Sequence, residues 1–228
     1  LSIDKAGTGY TLTASATGPS SATSTAFNIT PGTASQLVFT TQPVSSTAGA
    51  SFGVVVTARD AQGNTATGFT GSVTVAIGTN PGSGTLSGTL SQTASAGVAT
   101  FTGLSIDKAG TGYTLTASAT GPSSATSTAF NITPGTASQL VFTTEPVTST
   151  AGAGFGVVVT ARDAQGNTAT GFTGSVTVAI GTNPGSGTLS GTLSQTASAG
   201  VATFTGLSID KAGTGYTLTA SATGPSSA

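Results

Sequence analysis

FGVVVTARDAQGNTATGFTGSVTVAI, residues 52–77, decides the fold. Phe52, Val54, Val56 and Ala58 fall on alternate positions, and so do Val73, Val75 and Ile77. A period of two places each set on one face of an extended chain, the pattern of half-buried strands and not of a helix. Between them RDAQGNT (59–65) offers Asp, Gly and Asn, residues that accept turn conformations and bond their own backbone. The stretch therefore reads as two strands joined by a polar loop. It returns unchanged at 155–180.

That recurrence extends to the whole chain. LSIDKAGTGYTL begins at Leu1, Leu104 and Leu207, a period of 103 residues, and residues 1–22 are identical to 207–228. The two long copies differ at Gln42 against Glu145, Ser45 against Thr148, and Ser51 against Gly154. A period near 100 is the size of a domain with its own core and too long for a solenoid repeat. Within one period seven runs have strand character: A (36–41), B (52–60), C (71–77), D (84–91, short and at an edge), E (97–106), F (112–120) and G (125–133). Phe101, Leu104 and Ile106 are core candidates on E, Tyr113, Leu115 and Ala117 on F, and Phe130 and Ile132 on G. Seven strands with turns every 8–12 residues predict an all-β fold of tandem seven-stranded immunoglobulin-like sandwiches in a linear array. The expected divisions are a partial repeat at 1–33 (strands F and G), a complete repeat at 34–136, and a partial repeat at 137–228 (strands A to F, lacking G). The return of the chain to its starting phase reads as a window onto a longer array; strand complementation between molecules is the other explanation.

Composition narrows function. Charged residues are 5% of the chain, against about 25% in an ordinary globular protein. The net charge of −1 leaves no electrostatic footprint for nucleic acid or an acidic membrane. With no His and no Cys, Ser-His-Asp and Cys-His catalysis and thiolate metal sites are excluded. No apolar run approaches the roughly 18 residues of a membrane helix. The alternating apolar runs argue against disorder.

LVFTTQP (37–43), VTARDAQGNTATGFTGSVTVAIGTNPGSGTLSG (56–88) and GVATFTGLSIDKAGTGYTLTASA (97–119) resemble the bacterial immunoglobulin-like tandem repeats of large surface proteins, related to invasin- and intimin-type domains. The resemblance covers essentially the whole chain. It implies the sandwich fold and a place in a stalk that holds a different, functional tip away from the cell.

The polar groups are few enough to weigh individually. DKAGTG (107–112) has a lysine beside glycines, but Lys108 precedes them and a strand follows, whereas a phosphate loop leads into a helix. It reads as the E–F turn, delivering Tyr113 to strand F; Tyr10, Tyr113 and Tyr216 stand where sandwiches place a tyrosine corner. Alternating strands put the E–F turn and the B–C loop at opposite poles, so Asp60 and Asp107 of one repeat share no catalytic site. In a head-to-tail array, however, the E–F turn of one repeat faces the B–C loop of the next. Asp4 and Lys5 would then approach Arg59, Asp60 and Asn64, and Asp107 and Lys108 would approach Arg162, Asp163 and Asn167. Lys108–Asp163 or Asp107–Arg162 ion pairs, about 0–1 kcal/mol each when exposed, would tune orientation; solvated charges without partners are the alternative. Two aspartates and an asparagine are thin for calcium, which wants six to eight oxygens, and no cofactor is expected. NIT at Asn28 and Asn131 fits the glycosylation sequon but also ordinary strand sequence.

Together these features predict a non-enzymatic structural component of an extracellular fibre or surface appendage. The low-charge, Thr- and Ser-rich surface offers little repulsion between chains, so the expected partners are other copies of the chain, associating laterally or head to tail. A cell-surface or glycan partner would be met through a tip outside this segment; neither nucleic acid nor membrane insertion is expected. The alternatives are the stalk of a single-chain cell-surface adhesin and, less favoured, a Thr-rich ice- or glycan-binding module.

Overall fold

Alternation carries directly into structure. The computed structural model describes residues 1–228 and contains strands, turns and no helix. Residues 1–33 supply β1 (Gly7–Tyr10), β2 (Thr13–Ala14), β3 (Ala22–Thr23) and β4 (Phe27–Ile29). The following repeat supplies β5 (Gln36–Thr41), β6 (Ser46–Thr47), β7 (Phe52–Arg59), β8 (Ser72–Ile77), β9 (Leu86–Ser87), β10 (Ser91–Thr93), β11 (Val98–Ile106), β12 (Gly110–Tyr113), β13 (Leu115–Ser118), β14 (Ala125–Thr126) and β15 (Phe130–Thr133). The last repeat has β16 (Gln139–Thr144), β17 (Phe155–Arg162), β18 (Ser175–Ile180), β19 (Leu189–Ser190), β20 (Ser194–Thr196), β21 (Val201–Ile209) and β22 (Leu218–Ala222).

Two sheets face each other in the complete repeat. One has the order β5-β7-β11-β9 and the other β10-β8-β13-β14, with a smaller β12-β15-β6 sheet beside them. In immunoglobulin terms A, B and E oppose C, F and G. The second copy repeats this as β16-β17-β21-β19 and β20-β18-β22. The chain divides into two compact units: Leu1–Ser46 with Ala50–Ile106 and Gly110–Asn131, and Ile132–Ala228 with Thr47–Gly49 and Asp107–Ala109.

The alternating residues form the core. Val54, Val56, Val73, Val75, Phe101, Leu104, Ile106, Tyr113, Leu115 and Ala117 are all fully buried. Each large side chain contributes about 1.5–3 kcal/mol by leaving water. Strand β11 changes phase in mid-course: Ala99 and Phe101 face inward, then Leu104 and Ile106, because its register with β7 shifts between Phe101 and Leu104. Gly103, at φ 71°, takes up the extra residue of this bulge.

Strand D differs from the expectation of one short edge strand over 84–91. The chain leaves one sheet and joins the other: β9 pairs with β11, and β10 pairs with β8. Gly88 makes the change at φ 111°, and a Cβ there would lie 2.6 Å from the Gly103 carbonyl oxygen. Strands F and G are likewise each divided in two, because Ser127 Oγ accepts the Leu115 N–H at 2.9 Å and so replaces a ladder bond with a side chain.

Candidate functional site: an Asp–Asn clamp at the B–C loop

DAQGN, residues 60–64, follows β7 as a tight turn: Asp60 N–H donates to the Asn64 carbonyl at 2.9 Å and Gly63 N–H to the Asp60 carbonyl at 3.0 Å. Gly63 sits at φ 83°, a conformation that suits glycine. The turn points the Asp60 carboxylate inward, where the residue is only 2% exposed. Oδ1 accepts Gln62 N–H at 3.0 Å and Asn64 N–H at 2.8 Å. Oδ2 accepts the N–H of Gly32, in the segment leading into the repeat, at 2.8 Å. Asn64 Nδ2 donates to both carboxylate oxygens, at 3.3 and 3.0 Å.

Asn64 then reaches a segment sixty residues earlier. Its Nδ2 donates to the Asp4 carbonyl at 2.8 Å, and its Oδ1 accepts the Ala6 N–H at 3.0 Å. One amide side chain thus meets a donor and an acceptor of the Asp4–Ala6 turn, as a neighbouring strand would. The second unit repeats the arrangement. Gly135 N–H donates to Asp163 Oδ2 at 2.8 Å, Asn167 Nδ2 donates to the Asp107 carbonyl at 2.9 Å, and Ala109 N–H donates to Asn167 Oδ1 at 3.0 Å.

These bonds hold both carboxyls in their charged form. Asp60 is lowered from 3.8 to about 2, chiefly by the Gly32 N–H; burial opposes this, and the bonds from Asn64 and Gln62 add to it. At Asp163 burial pushes upward, and the bonds from Gly135, Asn167 and Gln165 outweigh it, so the net shift is down.

The residues singled out in the sequence lie here in different roles. Asp4 and Asp107 take part through backbone carbonyls. Lys108 Nζ donates to the Gln165 carbonyl at 2.7 Å, while the oxygens of Asp163 are occupied by Gly135, Gln165 and Asn167. Arg59 and Arg162 accept through their carbonyls, from Ser35 N–H at 2.8 Å and Ser138 N–H at 2.7 Å, and their Nε atoms are buried without a partner. Tyr10 and Tyr216 donate their hydroxyls to the Lys5 and Lys211 carbonyls, each at 3.1 Å. Tyr113 is fully buried with its ring centroid 6.1 Å from that of Phe130.

Gly32, Gly135, Ala6 and Ala109 escape a reading by residue type because only their backbone N–H groups take part. The available signal was Asp-x-x-Gly-Asn itself, whose two side chains have more hydrogen-bonding capacity than their own turn absorbs. No group of three or more His, Cys, Asp or Glu side chains lies together in a way that could hold a metal. The clamp is built of groups that hold backbone.

No family model matches the chain, and no curated protein matches it. Among solved structures it is similar to a β-glycosidase from Bacteroides vulgatus (12% identity, TM-score 0.38, covering 85% of this chain and 24% of that one). It is also similar to the Escherichia coli adhesin FdeC (18%, TM-score 0.39, 88% and 65%) and to the Yersinia pseudotuberculosis adhesin InvE (19%, TM-score 0.33, 85% and 56%). The chain spans less than two thirds of the length of each of these proteins, and at such scores the likenesses carry no argument about function.

Proposed function

We propose that this chain is a structural, non-enzymatic component of an extracellular fibre or surface appendage, built from near-identical immunoglobulin-like repeats. The observation that carries this reading is the recurrence of the Asp–Asn clamp at the repeat period, at Asp60–Asn64 on Asp4–Ala6 and at Asp163–Asn167 on Asp107–Ala109. In each copy a B–C loop grips the E–F turn that ended the preceding period and, through the Asp carboxylate, the glycine that begins its own. The role of such a clamp is to hold the E–F turn and the entry segment on the B–C loop within each unit. Directed hydrogen bonds suit that role better than exposed ion pairs, because they lose less to salt and solvent.

The surface supports association. With 5% charged residues and a net charge of −1, neighbouring chains repel weakly. Electron micrographs of the purified chain, or of the longest version that expresses, test the proposal. Multi-chain fibres of regular width are the expected result. Isolated strings of single chains would replace it with an adhesin stalk, and retention on ice or glycan would point to a binding module.

A further inference from the structure

We infer that each Asp–Asn clamp is a mechanical clip, which closes a loop of chain on the B–C turn and keeps that loop out of the path of tension. In the first unit the ends of the loop are Ala6 and Gly32. Asn64 holds the Ala6 N–H at 3.0 Å and the Asp4 carbonyl at 2.8 Å, and Asp60 Oδ2 holds the Gly32 N–H at 2.8 Å. The two gripping side chains are themselves joined, Asn64 Nδ2 to Asp60 Oδ2 at 3.0 Å, and the Asn64 N–H donates to Asp60 Oδ1 at 2.8 Å. Residues 7–31 therefore begin and end on the single turn DAQGN. The second clamp makes the same closure: Asn167 holds Asp107 and Ala109, Asp163 holds Gly135, and residues 110–134 lie between. Lys108 Nζ adds a bond to the Gln165 carbonyl of that turn at 2.7 Å.

A pull on the chain ahead of Asp4 has two routes to strand β7. One runs the length of residues 7–31 to Gly32. The other crosses at once from Asp4 and Ala6 to Asn64, in the turn that follows β7. The short route is taut first, so it carries the tension for as long as its bonds last. From β7 the tension passes to β11. One strand is drawn from its Arg59 end and the other from its Ile106 end. The antiparallel register sets Thr57 opposite Val98 and Phe52 opposite Leu104, so these two ends lie at opposite edges of the sheet. The pull then runs along both strands and shears the whole β7–β11 ladder. In shear all the ladder bonds share the force, whereas a strand peeled from one end loses them one at a time.

What the clip protects is visible in the complete repeat. Residues 110–134 contain β12 to β15 and contribute Tyr113, Leu115 and Phe130 to the buried core. Their hold on the sandwich suits no direct pull. Strand β14 has two residues and β15 has four. The Thr128 and Asn131 N–H groups are held by side chains, Gln42 Oε1 and Ser45 Oγ, both at 2.9 Å. Strands so short would peel under tension, and half the core would open with them. The clip itself is sheltered: Asp60 is 2% exposed and Asp163 is 1% exposed, which keeps water from competing for the carboxylate oxygens. Forced opening is governed by the rate at which bonds part, and that shelter slows it. The inference is independent of the fibre reading, since the stalk of a single-chain adhesin is pulled along the same backbone.

The test is a force–extension measurement on the 228-residue chain, tethered through its two termini. Opening of the first clip should appear as one discrete step of about 80–90 Å, the full extension of residues 7–31. The segment gives its whole length because its short pairs, β1 with β4 and β2 with β3, extend as soon as they are pulled. Asn64→Ala should abolish the step and lengthen the chain by the same amount at the lowest forces. Asn167→Ala should keep the step and lower the force at which the complete repeat ruptures, because β12 to β15 are then pulled directly. Phe101→Leu is the control for lost stability alone: it should lower that rupture force and leave the step in place. A parent chain that extends without the step overturns the clip, and so does a step that survives Asn64→Ala at the parental force. An Asn167→Ala chain whose complete repeat ruptures at the parental force overturns the shielding of β12 to β15. Loss of the step in Phe101→Leu would assign it to the sandwich and overturn the inference.

Discussion

Asn167 Nδ2 lies 2.9 Å from the Asp107 carbonyl oxygen, and one period earlier Asn64 Nδ2 lies 2.8 Å from that of Asp4. The same amide groups also touch Asp163 and Asp60, so each asparagine joins a buried carboxylate to a backbone turn far away in sequence. An amide suits this position because it donates to two acceptors and accepts from one donor at once. Aspartate or leucine of similar size meets one of those needs or none.

Replacing Asn167 by alanine should therefore destabilise the second unit by about 1–3 kcal/mol, the usual cost of leaving partly buried partners unpaired. Asn167→Asp should cost more at neutral pH, because it sets a second carboxylate against Asp163 and the Asp107 carbonyl. The excess should shrink under acid conditions, as one carboxyl of the pair takes up a proton. Thermal unfolding at two pH values measures both; equal loss for the two variants at neutral pH would contradict the geometry.

The shift at Asp60 has a sign that fixes a pH window. Its carboxyl falls from 3.8 to about 2 on folding, so the folded chain binds the proton less readily than the unfolded one. The stabilisation is complete above the ordinary value and is lost as pH falls through the lowered one. Asp163 shifts in the same direction. Denaturant midpoints should hold steady from neutral pH to about 4 and fall steeply towards 2. The double variant Asp60→Asn, Asp163→Asn should start lower and show a flatter acid limb. An acid limb as steep as that of the parent would remove the clamp carboxylates as its cause.

How much of this was legible beforehand depends on period. Strands B and C announce themselves because Val54, Val56, Val73 and Val75 alternate without interruption, and each is 1% exposed. Strand D was misread as one strand because GTLSGTLS has no large side chain to mark the change of sheet at Gly88; only a backbone angle records it. The clamp was half legible. Charge and loop position gathered Asp107, Lys108, Asp163 and Asn167 in one place. The hydrogen-bond relay from Asn167 onto peptide groups was not legible, because peptide groups look alike in every sequence.

Deleting the ring of Phe101 should be among the most damaging single changes to the complete repeat. The side chain is 0% exposed and sits where β11 pairs with β7, opposite Val54. Phe101→Ala should cost about 3–5 kcal/mol, transfer and cavity together. Chemical unfolding of that variant beside Phe204→Ala, its equivalent in the second unit, should show comparable losses, since Phe204 is also 0% exposed. A loss under about 1 kcal/mol would mean the two sheets close over the gap.

Gly88 and Gly121 separate backbone strain from crowding. Both have φ above 100°, at 111° and 107°, so alanine is strained at either position. At Gly121 a new Cβ would meet nothing within 4 Å, whereas at Gly88 it would lie 2.6 Å from the Gly103 carbonyl oxygen. That oxygen belongs to the bulge of β11 and has no flexible end to move aside. Gly121→Ala should therefore cost about 1–3 kcal/mol from conformation alone. Gly88→Ala should cost more, and it should also loosen the short β9 strand that Gly88 ends. Hydrogen exchange reports this as faster exchange at Leu86, Ser87 and their partners Ser105 and Ile106, with the β8–β13 pairing unchanged. Equal destabilisation by the two variants, with no local loss of protection, would show that the D strand crosses between the sheets without needing a bare backbone at Gly88.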